Sequence, residues 1–247
     1  MSAFSYSEVP WPVREDIPQA YQAYWQKLAR PGSWWTGAER VAIAAESRNA
    51  LNCEFCQARK QALSPYNFEG AHRHDSDLPA VAVDAVHRII TDQGRITQAW
   101  VNNNVDEGMT KEAYVELVGV VVTVFSIDEF HRALGLPVET LPTPETGKIS
   151  RYRPAVVCED IGFVPTVPAH GNVGNEADLW DGVRAANVFR ALTLVPQTFK
   201  DWRAIANVQY LTFEGMGNLV KDATRSINRM QMELVAGRVS SINECFY

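Results

Sequence analysis

The segment from Thr110 to Leu134 places apolar side chains at the spacing of a long helix, or of two helices with a bend. Thr110 is a suitable N-cap for it. No stretch of the chain shows the apolar–polar alternation of a strand, so we predict an all-α fold. The apolar stripe consists of Tyr114, Leu117, Val118 and Val121. Further helices are predicted over 17–29, 36–48, 180–195, 198–213 and from about Asn228 onward.

Proline content suggests how the chain is divided. The segment 143–179 is rich in proline and poor in helical pattern, and an unstructured segment of this length is unusual within a compact domain. We therefore interpret it as a linker that wraps between helical units or across a partner chain. The remaining divisions are an N-terminal arm over 1–14, a helical domain over 15–142 and an incomplete second helical unit over 180–247.

Composition and charge exclude several classes of protein. Of 247 residues, 46% are hydrophobic and 21% are charged, which is typical of globular chains and argues against disorder. A net charge of −6 argues against a nucleic-acid partner. The start of the chain does not resemble a secretory signal. The longest apolar run, 115–125, is far shorter than the ~20 residues of a membrane span. We expect a cytoplasmic protein without a membrane partner.

Cys53 and Cys56 form a Cys-x-x-Cys motif, a spacing that serves redox exchange or a structural metal and that also occurs by chance. Asn52 is a favoured N-cap, which predicts that both thiols lie in the first turn of a new helix. At that position the helix dipole, together with Arg59 and Lys60, should lower a thiol pKa. The alternative is one unbroken helix that carries two buried thiols.

A zinc site is the second interpretation of this region. His72 and His74 follow Cys56 after fifteen residues and offer suitable ligand types. However, helix-forming sequence rather than a tight turn flanks the cysteine pair. We therefore predict no metal or cofactor and expect both histidines to be exposed in a loop over 64–80. Cys158 has no second cysteine nearby and is interpreted as structural.

The segments 38–56 and 230–247 are similar, since both are amphipathic and place an Asn one or two residues before a Cys. The second segment resembles the signature helix of the alkylhydroperoxidase D-like (AhpD-like) family, which includes the carboxymuconolactone decarboxylases. That motif is Glu, eleven residues, Cys-x-x-Cys, three residues and His. Glu233 and Cys245 match its first two positions, and Cys53 and Cys56 match the cysteine pair. The resemblance covers 15–142 and 180–247 and implies a helical bundle with a partial internal duplication.

The first copy departs from the motif at two positions. Lys60 stands where the family has its His, and the motif Glu is missing, with Glu39 and Glu46 as the nearest candidates. Glu46 is seven residues before Cys53, about two helical turns, so that the two could share a face. The alternative is that both glutamates are surface residues in i,i+4 pairs.

The second copy needs residues after Tyr247 to complete its motif. Two explanations stay open: the sequence stops short of the motif, or the next codon is a UGA that encodes selenocysteine.

The resemblance implies a thiol oxidoreductase that reduces either peroxides or disulfides. An external thiol would supply the electrons. Cys56 would attack the substrate and Cys53 would resolve the intermediate. Lys60 is a poor base, so a partner subunit or one of four histidines could supply it. We expect a homo-oligomer. The alternatives are a non-catalytic helical oligomerisation protein and a decarboxylase-like acid–base enzyme. The candidate catalytic residues are Cys53, Cys56, Glu46 and Lys60, and the candidate bases are His72, His74, His87 and His131.

Overall fold

The structure, a computed structural model, describes residues 4–180, 185–212, 215 and 225–243. In these ranges the chain forms helices and no strand, apart from one isolated bridge between Cys158 and Thr166, which confirms the all-α prediction. The helices are α1 Asp16–Ala29, α2 Gly37–Ala50, α3 Glu54–Gln61, α4 Ala80–Thr91, α5 Gln98–Asp106, α6 Lys111–Ala133, α7 Asn187–Arg190, α8 Pro196–Gln209 and α9 Arg229–Ile242.

Helix α6 lies at the centre of the fold and packs against α2, α4 and α8. It is a single helix, and the side chain of Thr110 accepts a hydrogen bond from the backbone N–H of Ala113, as expected of an N-cap. Leu117, Val121 and Val124 are fully buried along it. Within the described ranges, no helix combines the length and the hydrophobicity that a bilayer crossing requires.

Helices α2 and α3 are separate, as predicted, and they meet at the cysteine motif. Helix α2 begins with a capping box in which Thr36 and Glu39 satisfy each other's backbone N–H groups, so Glu39 has a structural task. Helix α3 begins one residue later than predicted, with Cys53 rather than Asn52 as its N-cap. The alternative of one unbroken helix is therefore wrong.

The segments outside the helices pack against the first helices. Phe4 of the N-terminal arm is buried, with its ring edge-on to Tyr21 and Trp25. The linker runs over the turn between α1 and α2. Backbone hydrogen bonds join Glu145 N to Ala29 O at 2.7 Å and Arg151 N to Ser33 O at 2.9 Å.

Helix α8 shares the hydrophobic core of α1 and α6. Lys27 Nζ of α1 lies 2.7 Å from Asp201 Oδ1 of α8, which joins the two predicted helical units by a partly buried ion pair. The internal duplication stays a prediction.

The predictions for the C-terminal helices have mixed outcomes. The last helix has Asn228 as its N-cap, as predicted, and the helix predicted over 198–213 corresponds to α8. The helix predicted over 180–195 is wrong: of its described residues, only Asn187–Arg190 are helical. Pro196 begins α8 at N1 and disfavours helical backbone in Val195, which has φ −122° and ψ 88°. Helix α5 was not predicted.

Packing between α6 and α8 predicts the effect of a small substitution. A Cβ atom at Gly119 would lie 1.9 Å from Cγ2 of Thr198, so Gly119→Ala should lower the free energy of unfolding by about 1–3 kcal/mol through overpacking. Urea unfolding followed by circular dichroism measures this change.

The matched control is Gly237→Ala in α9, where no atom lies within 4 Å of the added Cβ, so stability should stay unchanged or rise by up to about 1 kcal/mol. Adding Thr198→Ser to Gly119→Ala removes the clashing methyl group and should restore most of the loss. Wild-type stability in Gly119→Ala alone would contradict the close packing.

Candidate functional site

Four side chains that are distant in sequence meet between α3 and α4. The ligand atoms of Cys53, Cys56, His72 and His87 all lie within 4.8 Å of one another. Nδ1 of His72 lies 3.5 Å from Sγ of Cys53 and 3.6 Å from Sγ of Cys56, and Nδ1 of His87 lies 3.2 Å from Sγ of Cys56. The rings of the two histidines are 4.0 Å apart between centroids.

Three chain segments position these side chains. Cys53 is the N-cap of α3 and Cys56 is the third residue of that helix, so both thiols belong to its first turn. His72 comes from the irregular segment that precedes α4. His87 is fully buried on α4, which packs against both α2 and α3.

Each histidine is held by a carboxylate on the side away from the sulfurs. Nε2 of His87 lies 2.6 Å from Oε1 of Glu46 on α2, and Nε2 of His72 lies 2.9 Å from Oδ1 of Asp84 on α4. A carboxylate accepts the Nε2 proton, which leaves the Nδ1 lone pair of a neutral ring directed at the sulfurs.

The carboxylates are themselves fixed by further hydrogen bonds. Asn49 donates to Oε1 of Glu46 at 2.8 Å, and Arg59 donates to Oδ1 of Asp84 at 2.6 Å. Both ring orientations are therefore determined by side chains on α2, α3 and α4.

Burial sets the charge states of the cluster. It raises the pKa of the Cys56 thiol to about 12, although Arg59 opposes this, so the expected lowering at the helix start is wrong for Cys56. Burial also lowers the pKa of His72, against the effect of Asp84. The cluster in its resting state thus combines a Cys56 thiol with a neutral His72 ring.

For the two carboxylates, hydrogen bonds outweigh the effect of burial on the pKa. Burial acts to raise the pKa of Asp84, but hydrogen bonds from His72 and Arg59 outweigh it and hold that pKa well below its usual range. The pKa of Glu46 is likewise lowered, because hydrogen bonds from His87 and Asn49 outweigh its burial. Both carboxylates are therefore ionised near neutral pH.

Access to the sulfurs is narrow. Cys56 is 1% exposed and Cys53 is 9% exposed. A cavity of about 490 Å³, lined by Phe55, His72, Asp84, Arg88 and Trp100 among others, reaches His72 and Asp84 but not the sulfurs themselves.

The structure brings together three of the four predicted catalytic residues. Cys53, Cys56 and Glu46 belong to the same network, and the alternative of a surface Glu46 is wrong because that side chain is buried. Lys60 lies exposed in the last turn of α3, where it does not contact the cluster. The predicted exposure is wrong for His72, which is partly buried in the cluster, and is confirmed for His74.

The second-copy residues form no comparable site in the described ranges. Glu233 on α9 accepts hydrogen bonds from Tyr210 and Arg229. Cys245 lies outside the described residues. Cys158 donates a hydrogen bond to Asp160 and accepts one from Arg190, and neither partner belongs to the cluster.

Asp84 is the site residue that sequence reasoning missed, and His87 was only one of four candidate bases. The available signal was their i,i+3 spacing, which puts both side chains on the same face of any helix that contains them. That signal does not say which element the face contacts.

Comparisons with known protein families, with curated proteins and with solved structures give no match to this chain. Inference about function therefore depends on the geometry of the cluster.

The charged network around Asp84 predicts a pH-dependent contribution to stability. The pKa of Asp84 in the folded state lies below the value of about 3.9 in unfolded chains, so its stabilisation is complete above about pH 4 and is lost as the pH falls. Asp84→Asn should therefore destabilise the protein by about 1–3 kcal/mol near pH 7, and the difference from wild type should narrow by about 1 kcal/mol near pH 3.

Urea unfolding in a chelator-containing buffer measures both differences. Asp77→Asn, at an exposed carboxylate in the preceding loop, is the control and should show little change at either pH. A destabilisation by Asp84→Asn that does not depend on pH would contradict the ionic role of Asp84.

Proposed function

We propose that the protein is an AhpD-like thiol oxidoreductase that reduces peroxides through a reversible Cys53–Cys56 disulfide. The observation that carries this proposal is a chain of two hydrogen bonds. Sγ of Cys56 lies 3.2 Å from Nδ1 of His87, and Nε2 of His87 lies 2.6 Å from Oε1 of Glu46. This is the nucleophile–base–carboxylate arrangement that activates a weak nucleophile.

The first step generates the nucleophile. A buried thiol is a poor nucleophile, because the thiolate is the reactive form. His87 accepts the thiol proton of Cys56 at Nδ1, and Glu46 stabilises the imidazolium that forms. Arg59, whose Nη2 lies 3.9 Å from Sγ of Cys56, adds a positive charge beside the developing thiolate.

The second step transfers oxygen to sulfur. The thiolate of Cys56 attacks one peroxide oxygen, and the O–O bond breaks. The leaving alkoxide or hydroxide takes the proton from His87, so the products are an alcohol or water and the sulfenic acid of Cys56. Sulfur loses two electrons and the peroxide gains them.

The third step protects the oxidised sulfur. Sγ of Cys53 lies within 4.8 Å of Sγ of Cys56 and attacks the sulfenic acid to form the disulfide with release of one water molecule. Two equivalents of an external thiol then reduce the disulfide and become oxidised themselves.

Burial favours a small oxidant. With 1% of Cys56 exposed, a hydroperoxide can reach the sulfur after a side-chain movement, whereas a folded protein disulfide cannot. The same reasoning makes peroxide the favoured substrate class over disulfides.

The resemblance of the Cys-x-x-Cys segment to the AhpD-like motif supports this proposal. In that motif the base is a His that follows the cysteine pair, at the position of Lys60 in this chain. Here His87 of α4 supplies the imidazole, and Glu46 supplies the carboxylate from a shifted position on α2.

Peroxide oxidation of the reduced protein tests the proposal. We expect wild type to lose the Cys53 and Cys56 thiols rapidly, measured by thiol titration after denaturation and by mass spectrometry of the linked peptides. His87→Asn should slow the reaction by roughly 100-fold or more, because it removes the base. Cys53→Ser should accumulate sulfenic acid on Cys56 instead of the disulfide.

Cys158→Ser and Lys60→Ala are the controls, and both should react at the wild-type rate. Oxidation of Cys56 no faster than that of an unstructured peptide thiol, or equal rates in wild type and His87→Asn, would overturn the proposal.

A second proposal concerns assembly, and it bears on the non-catalytic alternative. Helix α9 carries several exposed apolar side chains, with Met230 78% exposed and Leu234 75% exposed. Exposed apolar patches of this kind mark interaction surfaces. We propose that α9 joins copies of this chain in a homo-oligomer. The other exposed apolar residues of α9 are Val235, Val239 and Ile242.

Light scattering after size-exclusion chromatography tests the role of α9. Wild type should be an oligomer, and Leu234→Glu with Val239→Glu should reduce it to a monomer. Leu63→Glu, at a fully exposed position outside α9, is the control and should leave the oligomer intact. A monomeric wild type would contradict this proposal. An oligomer with inert thiols would favour the non-catalytic alternative.

A further inference from the structure

We infer that Cys53, Cys56, His72 and His87 form a tetrahedral binding site for a zinc-type divalent cation, with two sulfur and two nitrogen ligands. This inference does not rest on the proposed thiol chemistry, with which metal binding to the same two sulfurs competes, and it differs from the sequence-based expectation of no metal. The four ligand atoms lie within 4.8 Å of one another, so a single ion can contact all of them after small side-chain shifts.

Three sulfur–nitrogen distances within the cluster match the edges of a zinc tetrahedron. Zinc binds thiolate at about 2.3 Å and imidazole at about 2.0–2.1 Å, which gives sulfur–nitrogen edges of about 3.5 Å. The corresponding distances are 3.5 Å from Cys53 to His72, 3.6 Å from Cys56 to His72 and 3.2 Å from Cys56 to His87.

The surroundings of the histidines are those of metal ligands. Histidines that bind a metal through one nitrogen usually donate the other N–H to a carboxylate or carbonyl, which fixes the tautomer. Both histidines here do so, His72 to Asp84 and His87 to Glu46, and both present Nδ1 to the sulfurs.

His72 distinguishes this inference from thiol chemistry alone. The proposed peroxidase steps use the two cysteines, His87 and Glu46. They leave His72 and its carboxylate partner Asp84 without a task, although His72 contacts both sulfurs. A metal site requires His72 as its fourth ligand.

Burial and donor type select the class of ion. A set of two sulfur and two imidazole ligands that can surround one ion tetrahedrally favours zinc over magnesium or calcium, which prefer oxygen ligands. Four protein ligands leave no open position, so the site would be structural. Binding of zinc releases the two thiol protons to solvent. The bound ion links α3, the loop that precedes α4, and α4 itself.

Cobalt titration of the full, reduced, metal-free chain tests the inference. We expect one Co²⁺ per chain, with sulfur-to-cobalt charge-transfer absorption and the intense visible bands of a tetrahedral ion. An equimolar amount of Zn²⁺ should abolish both signals. Absence of the charge-transfer absorption would overturn the inference.

Variants identify the ligands. His72→Gln and Cys53→Ser should each weaken Co²⁺ binding more than Asp84→Asn, whose effect should be about 10–100-fold because Asp84 only orients a ligand. The matched controls are His74→Gln, two residues from His72 and exposed, and Cys158→Ser, and both should bind as wild type does. Unchanged affinity in His72→Gln would contradict the site.

A measurement on wild type alone covers the case in which a variant fails to fold. X-ray absorption of the zinc-loaded protein should show two sulfur atoms at about 2.3 Å and two nitrogen atoms at about 2.0–2.1 Å. A first shell dominated by oxygen would overturn the inference. These experiments use reduced protein without peroxide, so failure of the peroxidase proposal leaves their result unaffected.

Discussion

The hydrogen bond between His87 and Glu46 is the interaction on which the candidate site depends. It joins α4 to α2 in a region where both side chains are almost fully buried, at 2.6 Å. An unpaired carboxylate at that depth would cost several kcal/mol. The bond therefore adds a polar link to the packing of the two helices and sets the direction of the His87 ring. That direction is what brings Nδ1 to the sulfur of Cys56.

The cluster allows two uses of the same sulfurs, and they exclude each other. A metal ion that is bound to Nδ1 of His87 and to both sulfurs leaves this nitrogen unable to accept the thiol proton of Cys56, and a disulfide no longer offers two thiolate ligands. The Nδ1 atom of His87 serves as a base in one case and as a ligand in the other. The contact of His72 with both sulfurs distinguishes these two uses, because only the metal site requires it.

The sequence predicts those parts of the fold that depend on neighbouring residues. Helix α6, the N-caps Thr110 and Asn228, and the helix start at the cysteine motif all follow from local pattern. The pairing of Glu46 with His87 cannot be predicted from local pattern, because it spans 41 residues and depends on how α2 packs against α4. Motif spacing places the family His at position 60, which is a lysine here, and a linear motif cannot show which other helix supplies an imidazole.

The position of α8 has a consequence for how the protein is made. This helix covers faces of α1 and α6, yet it follows α1 by more than 160 residues in the chain. A nascent chain on the ribosome therefore holds those apolar faces without their partner until synthesis has passed Gln209. Contacts between such distant segments also make folding slow, so newly made chains are candidates for chaperone binding during that interval.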